Sequence, residues 1–167
     1  MRILFLTDDY PAEGGGSVAG VVRTLEKGLT DAGHDVSVIT THRTKENPQI
    51  VRRGHVVSIP VSYRTSLRHY KNLYMPAVSR MLDTEIETLQ PDIIHAHNVH
   101  QYITYDALRV ARKHSKKVFI TLHDVMSFSY GRLATERYVQ SEGADVHTRF
   151  VDHIHQAGVQ WNPLRNI

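Results

Sequence analysis

Short runs of consecutive apolar residues alternate along this chain with stretches whose apolar positions recur every three or four residues. The first run, "ILFL" at 3 to 6, has polar residues on both sides. That pattern predicts a strand of a parallel sheet, buried on both faces. A helix is expected from Ser17, a suitable N-cap, with Val18, Val22, Leu25 and Leu29 as its apolar stripe and Gly33 just past its end. "DVSVIT", 35 to 40, then predicts a second strand and closes a βαβ unit. Residues 41 to 54 are polar and basic and are expected to form a loop. "HVVSIP", 55 to 60, predicts a third strand, ended by Pro60. Residues 75 to 90 predict a helix with Pro76 in its first turn, Val78, Leu82, Ile86 and Leu89 on one face, and Pro91 as its stop. "DIIHAH", 92 to 97, is the next strand. A helix follows over 103 to 114, with Ile103, Ala107, Val110 and Ala111 inward, and then "KVFITLHD", 117 to 124, as a strand. The order β-α-β-β-α-β-α-β implies an α/β fold, a doubly wound parallel sheet of Rossmann-like type with right-handed crossovers. From 126 to 167 there is no convincing strand, and an irregular or helical segment of the same domain is expected, with a short helix near 147 to 157.

Composition narrows the class. The 167 residues suffice for one domain with a real core, and 22% charged residues is ordinary for a globular chain. There is no cysteine, which excludes disulfides, thiolate metal ligands and a cysteine nucleophile, and fits a cytoplasmic setting. The net charge of +3 suits anionic partners such as nucleotides, phosphorylated acceptors or acidic lipid, but is too small an excess to suggest nucleic-acid binding. The stretch "YRTSLRHYKNLYM", 63 to 75, interleaves Tyr63, Leu67, Tyr70 and Tyr74 with Arg64, Arg68 and Lys71. As a helix it suits peripheral contact with an anionic membrane face, or docking of its apolar stripe on the sheet.

Candidate chemistry gathers at the strand ends. Ligands of open parallel sheets bind beyond the carboxyl ends of the strands. There the chain places Asp8, then Gly14, Gly15, Gly16 and Ser17 before a helix, and His97 and Asn98 after another strand. His123 and Asp124 close a third. Glycines before a helix let a phosphate or sugar approach free backbone N–H groups; a flexible loop tip is the bland alternative. The run "GGGSVAG" is neither G-x-G-x-x-G nor a P-loop with its lysine. His95 and His97 share one face of their strand, and His97, nearer the edge, is the better candidate for ligand contact, whereas His95 suits the core. A metal set of His95, His97 and His123 matches ligand spacing alone, without a carboxylate-rich shell.

Together "RILFLTDDYPAEGGGSVAGVVRTLEKGLTDAGHDVSVIT", "PDIIHAHNVH" and "KVFITLHD" resemble the N-terminal, acceptor-side domain of a family 4 glycosyltransferase with the GT-B fold. The likeness covers 1 to 125, with Ala12 standing where a second proline is common. It implies transfer of a sugar from a nucleotide-sugar donor, itself a substrate, to an acceptor. Anomeric configuration would be retained, with no cofactor and no tightly bound metal. It places Gly15 and Gly16 in the loop against the donor diphosphate and the acceptor, His123 near the transferred sugar with Asp124 beside it, and His97 at the end of the H-A-H strand.

The family's E-x7-E pair has no counterpart: Glu136 and Glu142 are six apart, Glu85 and Glu87 two. The nucleotide-sugar-binding C-terminal domain is therefore expected to be absent, and the chain alone inactive, as a fragment or split product. Its uncovered apolar surface would favour self-association. The alternatives are a stand-alone or split-partner module that binds a sugar or phosphate without catalysis, and a metal-dependent hydrolase. Location is expected to be cytoplasmic, with the inner membrane face as the site of any peripheral contact.

Overall fold

The computed structural model describes residues 1–10, 16–44, 49–62 and 71–124. Gly14, Gly15, residues 63–70 of the basic stretch and the segment 126–167 lie outside them. The sheet and its helices make up one unit, Met1–Thr121, and a second unit begins at Leu122.

At the centre lies β1 (Arg2–Thr7), whose residues Ile3 to Leu6 are all buried. It pairs in parallel with β2 (Asp35–Arg43) on one side and β5 (Ile93–His97) on the other. Outward from β2 come β4 (Val56–Val61) and then β3 (Val51–Arg53), and outward from β5 comes β6 (Val118–Thr121). Every neighbouring pair is parallel except β3 and β4. The expected doubly wound parallel sheet is therefore a mostly parallel mixed sheet.

The exception corrects the loop expected over 41 to 54. β2 runs on to Arg43, and Val51–Arg53 turn back as a hairpin on β4, with Arg53 opposite Val56. Gly54, at φ 60°, supplies the left-handed conformation that a two-residue hairpin loop needs. Pro60 does not end its strand. The carbonyls of His55 and Val61 accept from Val38 and Thr44 of β2 and its extension. Alternation then turns the Pro60 nitrogen to the outer side, where β3 pairs only as far as Ser58.

Alternation also sorts the side chains onto two faces. Leu4, Leu6, Ile39, Ile59, Ile94 and Ala96 pack under α2 (Pro76–Leu89) and α3 (Asp106–His114), through Val78, Leu82, Ile86, Ala107, Val110 and Ala111. On the other face Phe5, Val36 and Val38 meet Val22 of α1 (Ser17–Asp31). Leu25, expected inward, is 38% exposed. The helix is rolled toward Ala19 and Glu26, because the Glu26 carboxylate is drawn inward by the Tyr10 hydroxyl and by His55, 2.6 Å away. α3 starts at Asp106 rather than 103, since Thr104 at φ 77° cannot belong to a right-handed helix; Ile103 is nevertheless fully buried. β6 ends at Thr121, short of the expected 124, and leaves Phe119 55% exposed at the sheet's edge.

The loop after β5 is held by Asp8. Its Oδ2 accepts from the Gln101 N–H at 2.7 Å, and its Oδ1 from Tyr102 and Ile103 at 2.8 and 2.7 Å. Its carbonyl accepts from the Thr41 hydroxyl of β2 at 2.7 Å. One residue thus ties three strand ends together. Burial raises the Asp8 carboxyl to about 6, against the pull of the three N–H donors. The folded chain therefore keeps the Asp8 proton to higher pH than the unfolded chain. The resulting stabilisation is complete below about pH 4 and is lost as pH rises through about 6, a change on the order of 3 kcal/mol.

Two measurements check this. The Asp8 side-chain carboxyl carbon should titrate near pH 6 by NMR. The urea midpoint of Asp8→Asn should lose the downward slope between pH 4 and 6 that the parent shows relative to it. Parallel pH profiles, or a titration near 4, would contradict the burial argument.

Candidate functional site

Site geometry begins where β1 leaves the sheet. Asp8 was a candidate for ligand contact, but both its oxygens are occupied by backbone donors, so the structure gives it the task of shaping the loop. Asp9 beyond it is exposed. The Tyr10 hydroxyl is bonded to Glu26, and burial followed by that hydrogen bond raises the phenol above its ordinary range.

Gly16 is the N-cap of α1, and Ser17, expected in that role, is the first helical residue. The Gly16 carbonyl accepts the first helical bond from Gly20, at 3.2 Å. Among the described residues no side chain caps this end, and no acidic residue lies in the first turn. Helix N-termini otherwise fill their free N–H groups with a Ser, Thr or Asp oxygen. Nothing local demands glycine here: φ is −60°, and a Cβ would meet no atom within 4 Å. Gly16 itself therefore places no side chain over the first-turn N–H groups of α1.

At the end of β5 the histidines fall in the reverse of the expected order. His97 is 0% exposed, with its ring edge-on to Phe5 at 5.5 Å and 4.1 Å from that of His95. It sits opposite Thr7 in the parallel register, and Thr7 is itself buried, so the strand's last residue is interior. His95 is only half-buried, and its Nε2 lies 2.8 Å from the Thr121 hydroxyl of β6. Asn98 adopts φ 46°, a left-handed turn for which Asn is well suited, which accounts for it structurally. His123 and Asp124 lie in the second unit, two and three residues past the end of β6. Among the described residues no group of three His, Asp or Glu is arranged to hold a metal ion.

Sequence reasoning missed the Tyr10–Glu26–His55 chain across α1, and His42 of β2 with Arg53 and Ser58 of the hairpin beside it. The signal was present in "VRRGHVV": a glycine between two short β-prone runs marks a tight hairpin.

The model of glycosyltransferase family 4 matches residues 14–157, and the chain belongs to that family. Its fold is the Rossmann-like α/β arrangement of GT-B glycosyltransferases. It resembles the sucrose-phosphate synthase of Thermosynechococcus elongatus with a TM-score of 0.54 at 17% identity, covering 84% of this chain and 37% of that one. A trehalose-6-phosphate structure from E. coli bound with UDP-2-fluoro glucose matches at 0.47 and 14% identity, over 78% of this chain and 34% of that one. The UDP-forming α,α-trehalose-phosphate synthase of Burkholderia xenovorans, in complex with glucose-6-phosphate, matches at 0.43 and 12%, over 78% and 34%. The chain thus spans about a third of the length of these structures. No curated protein matches it.

If ligand approach is the only demand on Gly16, replacing it should leave the fold unharmed. Gly16→Ser supplies a capping oxygen and is expected to keep stability within ~0.5 kcal/mol of the parent or raise it slightly. Thermal unfolding measures this. A loss of more than about 2 kcal/mol would show that the glycine serves the fold.

Proposed function

We propose that the chain is the acceptor-side half of a retaining glycosyltransferase that moves a sugar from a nucleotide-sugar donor to an acceptor, and that transfer requires a donor-binding domain not contained in these residues. The observation that carries this reading is the uncapped start of α1 in a family 4 glycosyltransferase chain, at a strand's carboxyl end, with a glycine that neither its φ nor its packing requires. The same residues would serve the domain division inferred from sequence, with 1–125 as the Rossmann-like half.

In the reaction the bond between the anomeric carbon and the leaving diphosphate oxygen breaks, the acceptor oxygen bonds to the same face of the sugar, and the acceptor proton passes to the departing diphosphate oxygen. Negative charge grows on the leaving phosphate. Backbone N–H groups of the first turn of α1 are suited to meet it, and donors fixed in advance need no reorganisation as the charge develops. His123, with Asp124 next to it, would hold a hydroxyl of the transferred sugar. His97, enclosed by Phe5 and His95, would support the floor of the site rather than touch the ligand. No resident metal or organic cofactor is part of this scheme.

Among the described residues no helix is long and apolar enough to cross a membrane. Any contact with an acidic lipid face would fall to the 63–75 stretch, in which Tyr74 is 53% exposed.

Release of nucleoside diphosphate from a panel of nucleotide-sugars tests the proposal, with the chain alone and with the chain joined to a family 4 donor domain. The chain alone should release none, and the joined protein should turn over. His123→Ala should lower that turnover by about 10²-fold or more, with unfolding unchanged. Turnover by the isolated chain, or a joined protein indifferent to His123→Ala, would overturn the assignment. Ligand binding without turnover in the joined protein would favour the non-catalytic binding module.

A further inference from the structure

A cavity of about 470 Å³ opens on the α1 face of the sheet, between the carboxyl end of β2 and the β3–β4 hairpin. Asp9, Tyr10, Thr40, His42, Arg53 and Ser58 line it. None of the catalytic candidates does. Its size falls within the range of small-molecule sites.

Among the described residues, four of its polar groups keep unused hydrogen-bonding or charge capacity. Thr40 is 3% exposed, and its Oγ1 has no hydrogen-bond partner among the described residues. A valine would fill the same space in a strand without stranding a hydroxyl, so the oxygen has no structural reason to be there. Arg52 and Arg53 point to opposite faces of β3. Arg52 is spent on Glu85 of α2, with its Nη2 2.6 and 2.7 Å from the two carboxylate oxygens. Arg53 makes no ion pair among the described residues, although it shares the cavity with the carboxylate of Asp9, which is equally unpaired. The two opposite charges line one cavity and do not meet. His42 is held through Nδ1 by the Ser58 hydroxyl at 2.9 Å, which fixes the ring and leaves Nε2 for another partner.

This donor and acceptor set describes its ligand. A guanidinium offers paired N–H groups to a phosphate. An ionised carboxylate accepts only, and so suits a ligand rich in hydroxyl donors. A buried hydroxyl and an imidazole nitrogen each bond a further hydroxyl. We propose that this cavity binds a phosphorylated polyol of hexose size, its phosphate on Arg53 and its hydroxyls on Asp9, Thr40 and His42. The proposal names the acceptor class for the transfer described above and rests on that reading for its role; binding itself does not depend on it. The cavity's place supports the role, since Tyr10 at its wall is four residues before the glycine run.

The test is titration of the full chain with glucose 6-phosphate, followed by amide NMR, with glucose, glucuronate and inorganic phosphate as separate arms. Glucose 6-phosphate should shift the amides of Thr40, His42 and Arg53 saturably and bind at least tenfold tighter than any of the other three. Arg53→Ala should remove that advantage over glucose. Thr40→Val, which keeps shape and burial, should weaken glucose and glucose 6-phosphate alike by severalfold. Saturable shifts confined to other residues, no saturable shift, or equal binding by Arg53→Ala would overturn the proposal. Glucuronate binding as tightly as glucose 6-phosphate would replace phosphate by carboxylate and overturn it as stated. Diphosphate release by the joined protein with an acceptor that does not enter this cavity would leave the transfer reading standing and sink this one alone; binding of glucose 6-phosphate without any release would do the reverse.

Discussion

Three backbone N–H groups converging on the Asp8 carboxylate hold the working end of this fold together. A parallel sheet aligns strand ends but does nothing to order the loops that leave them. Here the loop from β5 to α3 must change direction within a few residues, with left-handed φ at Asn98 and Thr104. Its N–H groups at 101, 102 and 103 would otherwise be left without a partner in the loop. A buried carboxylate satisfies all three, while the Asp8 carbonyl accepts from Thr41 of β2. An acid is costly to bury, and the upward shift of its carboxyl to about 6 shows how much of the desolvation remains uncompensated. The arrangement holds because the alternative is three unpaired donors in the same interior.

The two faces of the sheet divide the labour. The α2–α3 face is almost wholly aliphatic and supplies most of the hydrophobic core. The α1 face carries the chemistry: His95 and His97 beside Phe5, the Tyr10–Glu26–His55 chain, and the cavity bordered by Thr40 and His42. Strand alternation makes this possible, since each strand can serve a dry face and a polar one with neighbouring residues. Arg52 and Arg53 show the rule at its smallest scale, with one guanidinium locked to α2 and the next turned to the cavity.

Much of the fold was legible in the chain because the strong signals are local. "ILFL" could only be a doubly buried strand, and Pro76 with Pro91 bracketed α2 to within a residue. The misses have physical causes. The hairpin strand β3 is three exposed residues whose existence depends on Gly54 and on pairing with β4, not on its own periodicity. The roll of α1 away from Leu25 follows from a polar attraction at Glu26 that an apolar count does not see. Position along a strand misjudged His97, because the end of β5 lies inside the fold rather than at its rim. In the candidate site, the glycine run and His123 were visible as residue types near strand ends, whereas Asp8 as a loop clamp and Arg53 as a cation without an ion pair among the described residues needed three-dimensional neighbours to be recognised.

Groups left over by a fold point to ligands more directly than resemblance does. At 17% identity the likeness to sucrose-phosphate synthase carries the architecture and nothing about what is bound. Gly16 leaves a helix start uncapped at a position open to any residue. Among the described residues the buried Thr40 hydroxyl has no partner, and Arg53 and Asp9 line one cavity without an ion pair. Each breaks a local rule, and in none does the surrounding structure gain from it. A folded chain tolerates such departures where a bound molecule completes them. Thr40, Arg53 and Asp9 lie together in that cavity, at the carboxyl ends of β1 and β2 and along the hairpin beside them.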